Sequence, residues 1–456
     1  MEYLLAGEVL RSARKVAEQA EVFWVSSRET PVHFEANKLK QIQTKEDTSV
    51  TLRIFREGRI GFATANGPDG AGKKGSPSPN LSLRGRGSLR DLIDMAVETS
   101  QFGLPANFQF PSSKDYPEVR IFDPGVEEIP MEQMVQIGKE LIAKVTSYAP
   151  NILCDVEVTK GTSSIYMVNS QGGEASYDKS FFTLSLEGIL IEDTDMLFVG
   201  DSESSCRLFS GIDTLADRVI RQLEMAKEKA TVSAKLLPVV FTPHGVASAL
   251  LTPIALAFSG KTVFEGASPL KDKLGEQVFD TGLTLWDDAT IAYGVGSYPC
   301  DDEGVPSQRL PLITEGVVSN FLYDLQTAAL AGARSTGSGR RMGGSSPKPA
   351  ISSLVIDGGD VSFENMVEDM KEGLIVEQLI GADQGNVLSG DFGGNVLLGY
   401  KVERGEIVGR VKDTMISGNV YQVLRELLGV GREVRWVGGT LQTPPLYCPR
   451  VSVAAS

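Results

Sequence analysis

Apolar side chains recur at every second position through long stretches of this chain. A period of two is the signature of strands with one buried face. Residues 180–192 carry the clearest run, with Phe182, Leu184 and Leu186 on one face and Phe181, Thr183 and Ser185 on the other. Residues 49–56 repeat the pattern, Val50, Leu52 and Ile54 alternating with Thr51, Arg53 and Phe55. Glu57, Gly58 and Arg59 then turn tightly into 60–65, which predicts a hairpin. Shorter strands are expected at 22–26, 32–35, 41–45, 155–160, 164–169 and 173–179. Asn169, Ser170, Gln171 and Gly172 supply the turn between the last two. Helical spacing instead marks 3–20, 89–99, 131–147 and 213–229, with Ser88 placed to cap the second of these. The order helix, sheet, helices, sheet, helix predicts an α+β domain over residues 1–234.

The texture changes beyond that point. Residues 238–241 form an apolar strand, and Thr242 followed by Pro243 opens a helix, Thr as N-cap and Pro in the first turn. From residue 262 onward Gly is dense and strands are short, at 283–286, 309–313, 317–323, 353–356, 374–379, 395–403 and 406–411. This predicts a second, mostly antiparallel β domain with a few helices over 235–456. One segment fits neither domain. Residues 67–87 are rich in Gly and Pro, and five basic residues (Lys73, Lys74, Arg84, Arg86, Arg90) lie between Asp69 and Asp91 with no acid among them. Such a stretch cannot pack a core and reads as a flexible loop. It has no aromatic residue on which bases could stack.

Charge and rare residues narrow the chemistry. The net charge of −15 repels phosphate and argues against a general nucleic-acid binder. The chain has two histidines, His33 and His244, so a zinc helix with two histidines four apart is excluded. Its four cysteines (Cys154, Cys206, Cys300, Cys448) form no C-x-x-C pair and no disulfide scaffold. No apolar run reaches the roughly 18 residues a membrane span needs. The first residues lack the basic and apolar regions of a secretory signal. The expectation is a reduced, cytoplasmic protein with no membrane role.

Four stretches could carry chemistry. Ala255 to Thr262 loosely matches a phosphate loop, but its apolar interior reads as a helix ending at Gly260. Gly337 to Gly344 has the look of a dinucleotide fingerprint without a strand before it or a helix after it. It reads as a mobile surface loop whose Arg340 and Arg341 could meet a carboxylate or phosphate. Asp301, Asp302 and Glu303, followed by Gly304, form the densest acidic cluster. Three adjacent carboxylates could hold a hard cation, yet they lack the alternation of a calcium loop, and the sequence favours a solvated turn. His244, beside a helix start, is expected to be satisfied by backbone or water.

The order of several short motifs resembles the TldD/PmbA family. They are the run from Asn37 through Val50–Ala63, Asp287-Asp288, Asp301 to Pro306, Ser335-Thr336-Gly337, Ser389 to Phe392 and Ile416 to Asn419. The resemblance covers nearly the whole chain. That family has been described both as a modulator of DNA gyrase and as a metalloprotease. Its TldD branch carries a His-Glu-x-x-x-His helix that binds zinc, with Glu as general base. The pattern places that helix after Leu250-Leu251, where this chain has Thr252, Pro253 and Ala257 in place of the His, Glu and His. None of the three can ligate zinc or move a proton.

The resemblance is therefore to the TldE (PmbA) branch, which lacks the metal motif. It implies a metal-free subunit whose TldD-like partner holds the zinc. It also implies a cleft that receives unfolded peptides, such as leader peptides or an antitoxin, through pairing with a sheet edge. On this reading Asp301, Asp302, Glu303, Gly304, Arg340 and Arg341 are the candidates for lining the cleft. Two other readings stay open: a metal-independent peptidase using His244 or the acidic cluster, and a regulatory module acting on gyrase. Self-association into a homodimer also stays open, since soluble proteins commonly form one.

Overall fold

The computed structural model describes residues 2–67, 89–193, 195–341 and 345–455. The basic Gly/Pro stretch expected to be a loop lies, from residue 68 on, outside the described residues, as does Ser88. The two β-rich blocks of the first half do not make two sheets. They form one seven-stranded sheet from β1 (Gln19–Glu35), β2 (Lys38–Ile42), β3 (Lys45–Arg56), β4 (Arg59–Asn66), β5 (Leu153–Asn169), β6 (Glu174–Glu192) and β7 (Asp195–Ser205). The order is β4-β3-β1-β5-β6-β7, with β2 also on β1. Strands β1 and β5 join the blocks, in register from Glu21↔Asn169 to Phe34↔Val156.

Several expected pairs of short strands are single long ones, and each apparent break has a local cause. Pro31 interrupts the sequence pattern of β1 but sits where the neighbour on one edge changes from β3, which ends at Glu29↔Lys45, to β2, which begins at Val32↔Ile42. Gly161 in β5 is covered by the Phe181 ring, and a Cβ there would lie 2.2 Å from it. Ser180 in β6 is buried, donating to the Cys206 carbonyl and accepting from the Asp123 N–H. The turn at Glu57 and Gly58 forms as expected, both residues having positive φ.

Because strand side chains alternate, the two faces of this sheet meet different partners. The even-numbered face of β1 (Val22, Trp24, Val32, Phe34) packs on α1 (Glu2–Ala13), α2 (Leu89–Ser100), α3 (Pro124–Glu128), α4 (Met131–Tyr148) and α5 (Ile212–Met225). The odd-numbered face carries Glu21 and Phe23 and meets the segment around Cys300 from the second half. Gly61 in β4 permits the close approach of α2: a Cβ there would lie 2.1 Å from the Ala96 carbonyl oxygen. Gly61→Ala is expected to cost about 1–3 kcal/mol, read as a shift in the urea midpoint. A change below about 0.5 kcal/mol would show that α2 can move away freely.

The second half is built on an eight-stranded sheet that closes on itself. Strand Lys235–Phe241 pairs with Glu372–Ile380 and Leu446–Ala455, and Thr414–Asn419 links the latter to Asp391–Glu403. Pairing of Asp391–Glu403 with Glu372–Ile380 completes the ring. A six-stranded sheet, which includes Leu285–Asp288, packs against it in a common core. Thr242 caps α6 (Pro243–Ala249) as expected, accepting from the Gly245 N–H. Gly260 differs from expectation. The preceding helix, α7 (Leu251–Ala257), ends earlier, and Gly260 begins α8 (Gly260–Phe264), pressed against the Tyr323 ring. No helix of the described residues is long and apolar enough to cross a membrane.

Candidate functional site

The acidic cluster is not a solvated turn. Asp301 and Glu303 are 1% and 0% exposed, and Asp302 is buried with them. The sequence expectation fails because the neutralising charges come from far away. Glu21 and Arg53 face each other across β1 and β3 on the odd-numbered face of the sheet. Arg53 donates to Glu303 at 2.6 Å and to Glu21 at 3.0 Å, under the rings of Phe108 and Phe110. Arg341 donates to the other Glu21 oxygen, and its backbone N–H reaches the Asp302 carboxylate at 2.7 Å. Arg340 lies 3.7 Å from Asp302 and over the Tyr298 ring. Asp301 accepts from the Glu303, Val305 and Gly339 N–H groups, and Glu303 from that of Leu325. Gly304 closes the turn at φ +78°, a conformation that favours glycine.

The stretch expected to be a mobile surface loop is likewise anchored. Gly337, Ser338 and Gly339 are buried, and Tyr298 donates to the Gly337 carbonyl. Residues 342–344 of that stretch lie outside the described residues. All six residues predicted for the cleft therefore meet in one place, together with Glu21 and Arg53, which the sequence reading missed. Burial pushes the Asp301 carboxyl well up, and the Glu303 charge adds to it. Burial also raises Glu303, against the pull of Arg53. With their lone pairs engaged by protein donors, these carboxylates lock the 300–306 and 337–341 segments onto the sheet. Arg340 is half-buried beside them.

The positions that resemble the metal motif lie on α7. Thr252 is exposed, and Pro253 and Ala257 are buried. The donor set does not fit zinc: Pro253 and Ala257 have no ligand atom, and a neutral Thr hydroxyl is a poor one. Among the described residues no group of three or more His, Cys, Asp or Glu is arranged to hold a metal ion.

A second polar centre lies around His244, whose partner is not backbone or water as expected. From the first turn of α6 its Nε2 sits 2.9 Å from Asp201 on β7. Asp201 also accepts from Arg218 of α5 and, at 2.6 Å, from Arg435. Burial works to raise the Asp201 pKa, but the His244 hydrogen bond and the arginine charges overcome it and hold the carboxylate well below its usual range. Glu377 nearby goes the other way, raised by burial despite His244. Glu377 lines a cavity of about 420 Å³ with Arg218, Gln222, Thr242, Phe363 and Arg435, whereas Asp201 and His244 line another of about 350 Å³. A depressed and a raised carboxyl around one imidazole is an arrangement able to hold and pass a proton. No local motif signals this centre, because its members come from five separate segments.

Comparison with known proteins agrees with this architecture. The PmbA/TldA metallopeptidase domain 1 matches residues 20–100, the central domain 124–230 and the C-terminal domain 233–455. Metalloprotease PmbA of Escherichia coli O157:H7 is 28% identical over 436 residues, 91% of this chain and 88% of the relative. A metalloprotease of Methanothermobacter thermautotrophicus is 26% identical over 439 residues, 94% of this chain and 91% of the relative. Among solved structures, TldE from Thermococcus kodakarensis superposes with a TM-score of 0.86 at 22% identity, over 98% of this chain and 99% of that one. A Thermotoga maritima protein described as a candidate modulator of a DNA gyrase gives a TM-score of 0.86 at 21% identity, over 100% of both chains. Three family domains matched in order from residue 20 to residue 455, on a fold shared end to end, make this chain a member of the PmbA/TldD metallopeptidase family.

Proposed function

We propose that this chain is a TldE-like, non-catalytic subunit that assembles in the cytoplasm with a TldD-like, zinc-bearing chain. Its role is to shape the cleft that receives unfolded peptides, leader peptides or an antitoxin among them, and to support its partner. The observation that carries this reading is chemical. In a metallopeptidase family, the positions that resemble the zinc motif hold Thr252, Pro253 and Ala257, which cannot bind zinc or act as a base. The buried Glu21–Arg53–Glu303 and Arg341 network supports it as a rigid wall rather than a reacting group. Purified alone, the chain is expected to hold no stoichiometric zinc and to cut no peptide. Co-expressed with a TldD-like chain, it is expected to co-purify with a chelator-sensitive peptidase. Stoichiometric zinc, or chelator-sensitive cleavage by the isolated chain, overturns the proposal.

One observation favours a second reading. His244 pairs with a depressed Asp201, the two line a cavity of about 350 Å³, and a raised Glu377 lies near, as a metal-independent peptidase would require. If His244→Ala abolished cleavage by the complex while its zinc content stayed the same, this reading would gain. Regulation of gyrase remains the weakest reading, and the −15 charge argues against contact with the DNA itself.

A further inference from the structure

Strand β7 ends the sheet, so one of its edges has no strand partner among the described residues. At Gly200 that edge is already occupied by an imitation of a peptide. The Gln222 side-chain amide accepts from the Gly200 N–H at 2.8 Å and donates to the Gly200 carbonyl at 3.1 Å. Gly200 therefore points its backbone groups outward. The β6–β7 register runs without a shift, so Ser202 and Ser204 point theirs outward too. The Ser202 N–H is taken by the Asp201 carboxylate, which leaves Ser204 as the next outward-facing position.

Beyond Gly200 the edge borders a cavity of about 460 Å³. Four consecutive residues, Ser202 to Ser205, line it. Side chains of a strand alternate between faces, so four in a row can share one cavity only if it lies along the strand's edge. Across from them stands Tyr293, held at φ +60°, a strained conformation for a non-glycine residue. Its N–H donates to the Arg120 carbonyl, and its own carbonyl accepts from the Cys206 N–H. The guanidinium groups of Arg120 and Arg207 both lie over the ring thus set in place, at 5.4 and 5.3 Å from its centre.

The cavity is lined by four arginines and one carboxylate, Glu203, in a chain whose net charge is −15. Arg218 and Arg435 are tied to Asp201, and Arg218 also reaches Glu203. Arg120 and Arg207 are exposed, and among the described residues neither has an ion pair. Two guanidinium groups held by one ring beside an open strand edge suit a carboxylate carried on an extended chain.

We infer that an extended peptide adds to the β7 edge at Ser204 and places a carboxylate, from an acidic side chain or from its C-terminus, against the Arg120 and Arg207 guanidinium groups. The inference rests on the peptide-receiving role proposed above but is tested on this chain alone. Three unstructured, fluorescently labelled peptides of equal length separate the sources of the carboxylate. One carries glutamates and an amidated C-terminus, one carries glutamines and a free C-terminus, and one carries glutamines and an amidated C-terminus. Anisotropy titration at low salt is expected to show at least one of the first two binding about tenfold tighter than the third. The exposed double variant Arg120→Gln/Arg207→Gln is expected to abolish that preference, and hydrogen exchange over 202–205 to slow on binding. Equal affinities, no binding of any peptide, a preference that survives the double variant, or unchanged exchange at 202–205 each overturn it. Zinc content and co-purification with a TldD-like chain report on the subunit role independently, so the two ideas can fail separately.

Discussion

Arg53→Ala is expected to destabilise the chain by about 3–5 kcal/mol, the usual cost of removing one partner from a buried charge network. The Arg53 side chain is 3% exposed and contacts two carboxylates, Glu21 and Glu303, that are 0% exposed. Without it, Glu303 keeps only the Leu325 N–H, and Glu21 keeps Arg341. One term works in the opposite direction. The Arg53 Nε is buried without a partner, and removing it relieves a penalty of about 1–3 kcal/mol. The stranded Glu303 carboxylate outweighs that relief, because an unpaired buried charge costs more than an unpaired N–H. Glu303→Gln is the milder change, since it retains an acceptor for Leu325 and leaves Arg53 with Glu21; about 1–3 kcal/mol is expected. Urea midpoints at pH 7, followed by tryptophan fluorescence, measure both. A loss below about 1 kcal/mol for Arg53→Ala would mean that the network carries little of the fold. It would also remove the support it gives to the rigid-wall role.

The same network shows what the sequence can and cannot express. The alternation of 49–56 and 180–192 and the Thr242-Pro243 helix start are local, and each forms as read. The merging of two β blocks into one sheet depends on β1 meeting β5 across more than a hundred intervening residues, which no periodicity encodes. Burial of the acidic cluster is the same kind of fact. Arg53 stands 250 positions from Glu303, and Arg341 stands 320 from Glu21. Read alone, three adjacent carboxylates suggest water, because burying them without those arginines would be prohibitive. One signal was available. Arg53 is a charge amid a run of Val, Leu and Ile, on a strand whose other face is apolar, and such a residue has to find a partner. His244 offered less, because Asp201, Arg218, Glu377 and Arg435 share no spacing with it.

The second large effect is the share of a loss of stability between about pH 4 and pH 7 that belongs to Asp287 and that Asp287→Asn removes. Asp287 lies in the strand Leu285–Asp288 and is 3% exposed. Burial pushes its carboxyl up to about 7, against hydrogen bonds from the Ser352 N–H and hydroxyl at 2.7 and 2.9 Å, and the charge of Asp288 adds to the rise. An aspartate in the unfolded chain titrates near 3.9. The folded pKa is the higher one, so the folded state binds the proton more tightly. Its contribution is fully present below about pH 4 and is lost as pH rises through about 7. A gap of about three pKa units corresponds to roughly 4 kcal/mol. Other groups tilt the whole profile: Asp201, depressed in the fold, contributes stability above about pH 4 that is lost in stronger acid. The informative quantity is therefore the difference between wild type and Asp287→Asn in urea unfolding free energy, taken from pH 4 to pH 8. Asn keeps an oxygen for the Ser352 donors but cannot ionise. Wild type should hold its advantage at pH 4 and lose it by pH 8, with the midpoint of the change tracking the shift of Asp287. Parallel profiles across that range would show that Asp287 is ionised throughout, stabilised by Ser352 and by water rather than kept neutral by its burial.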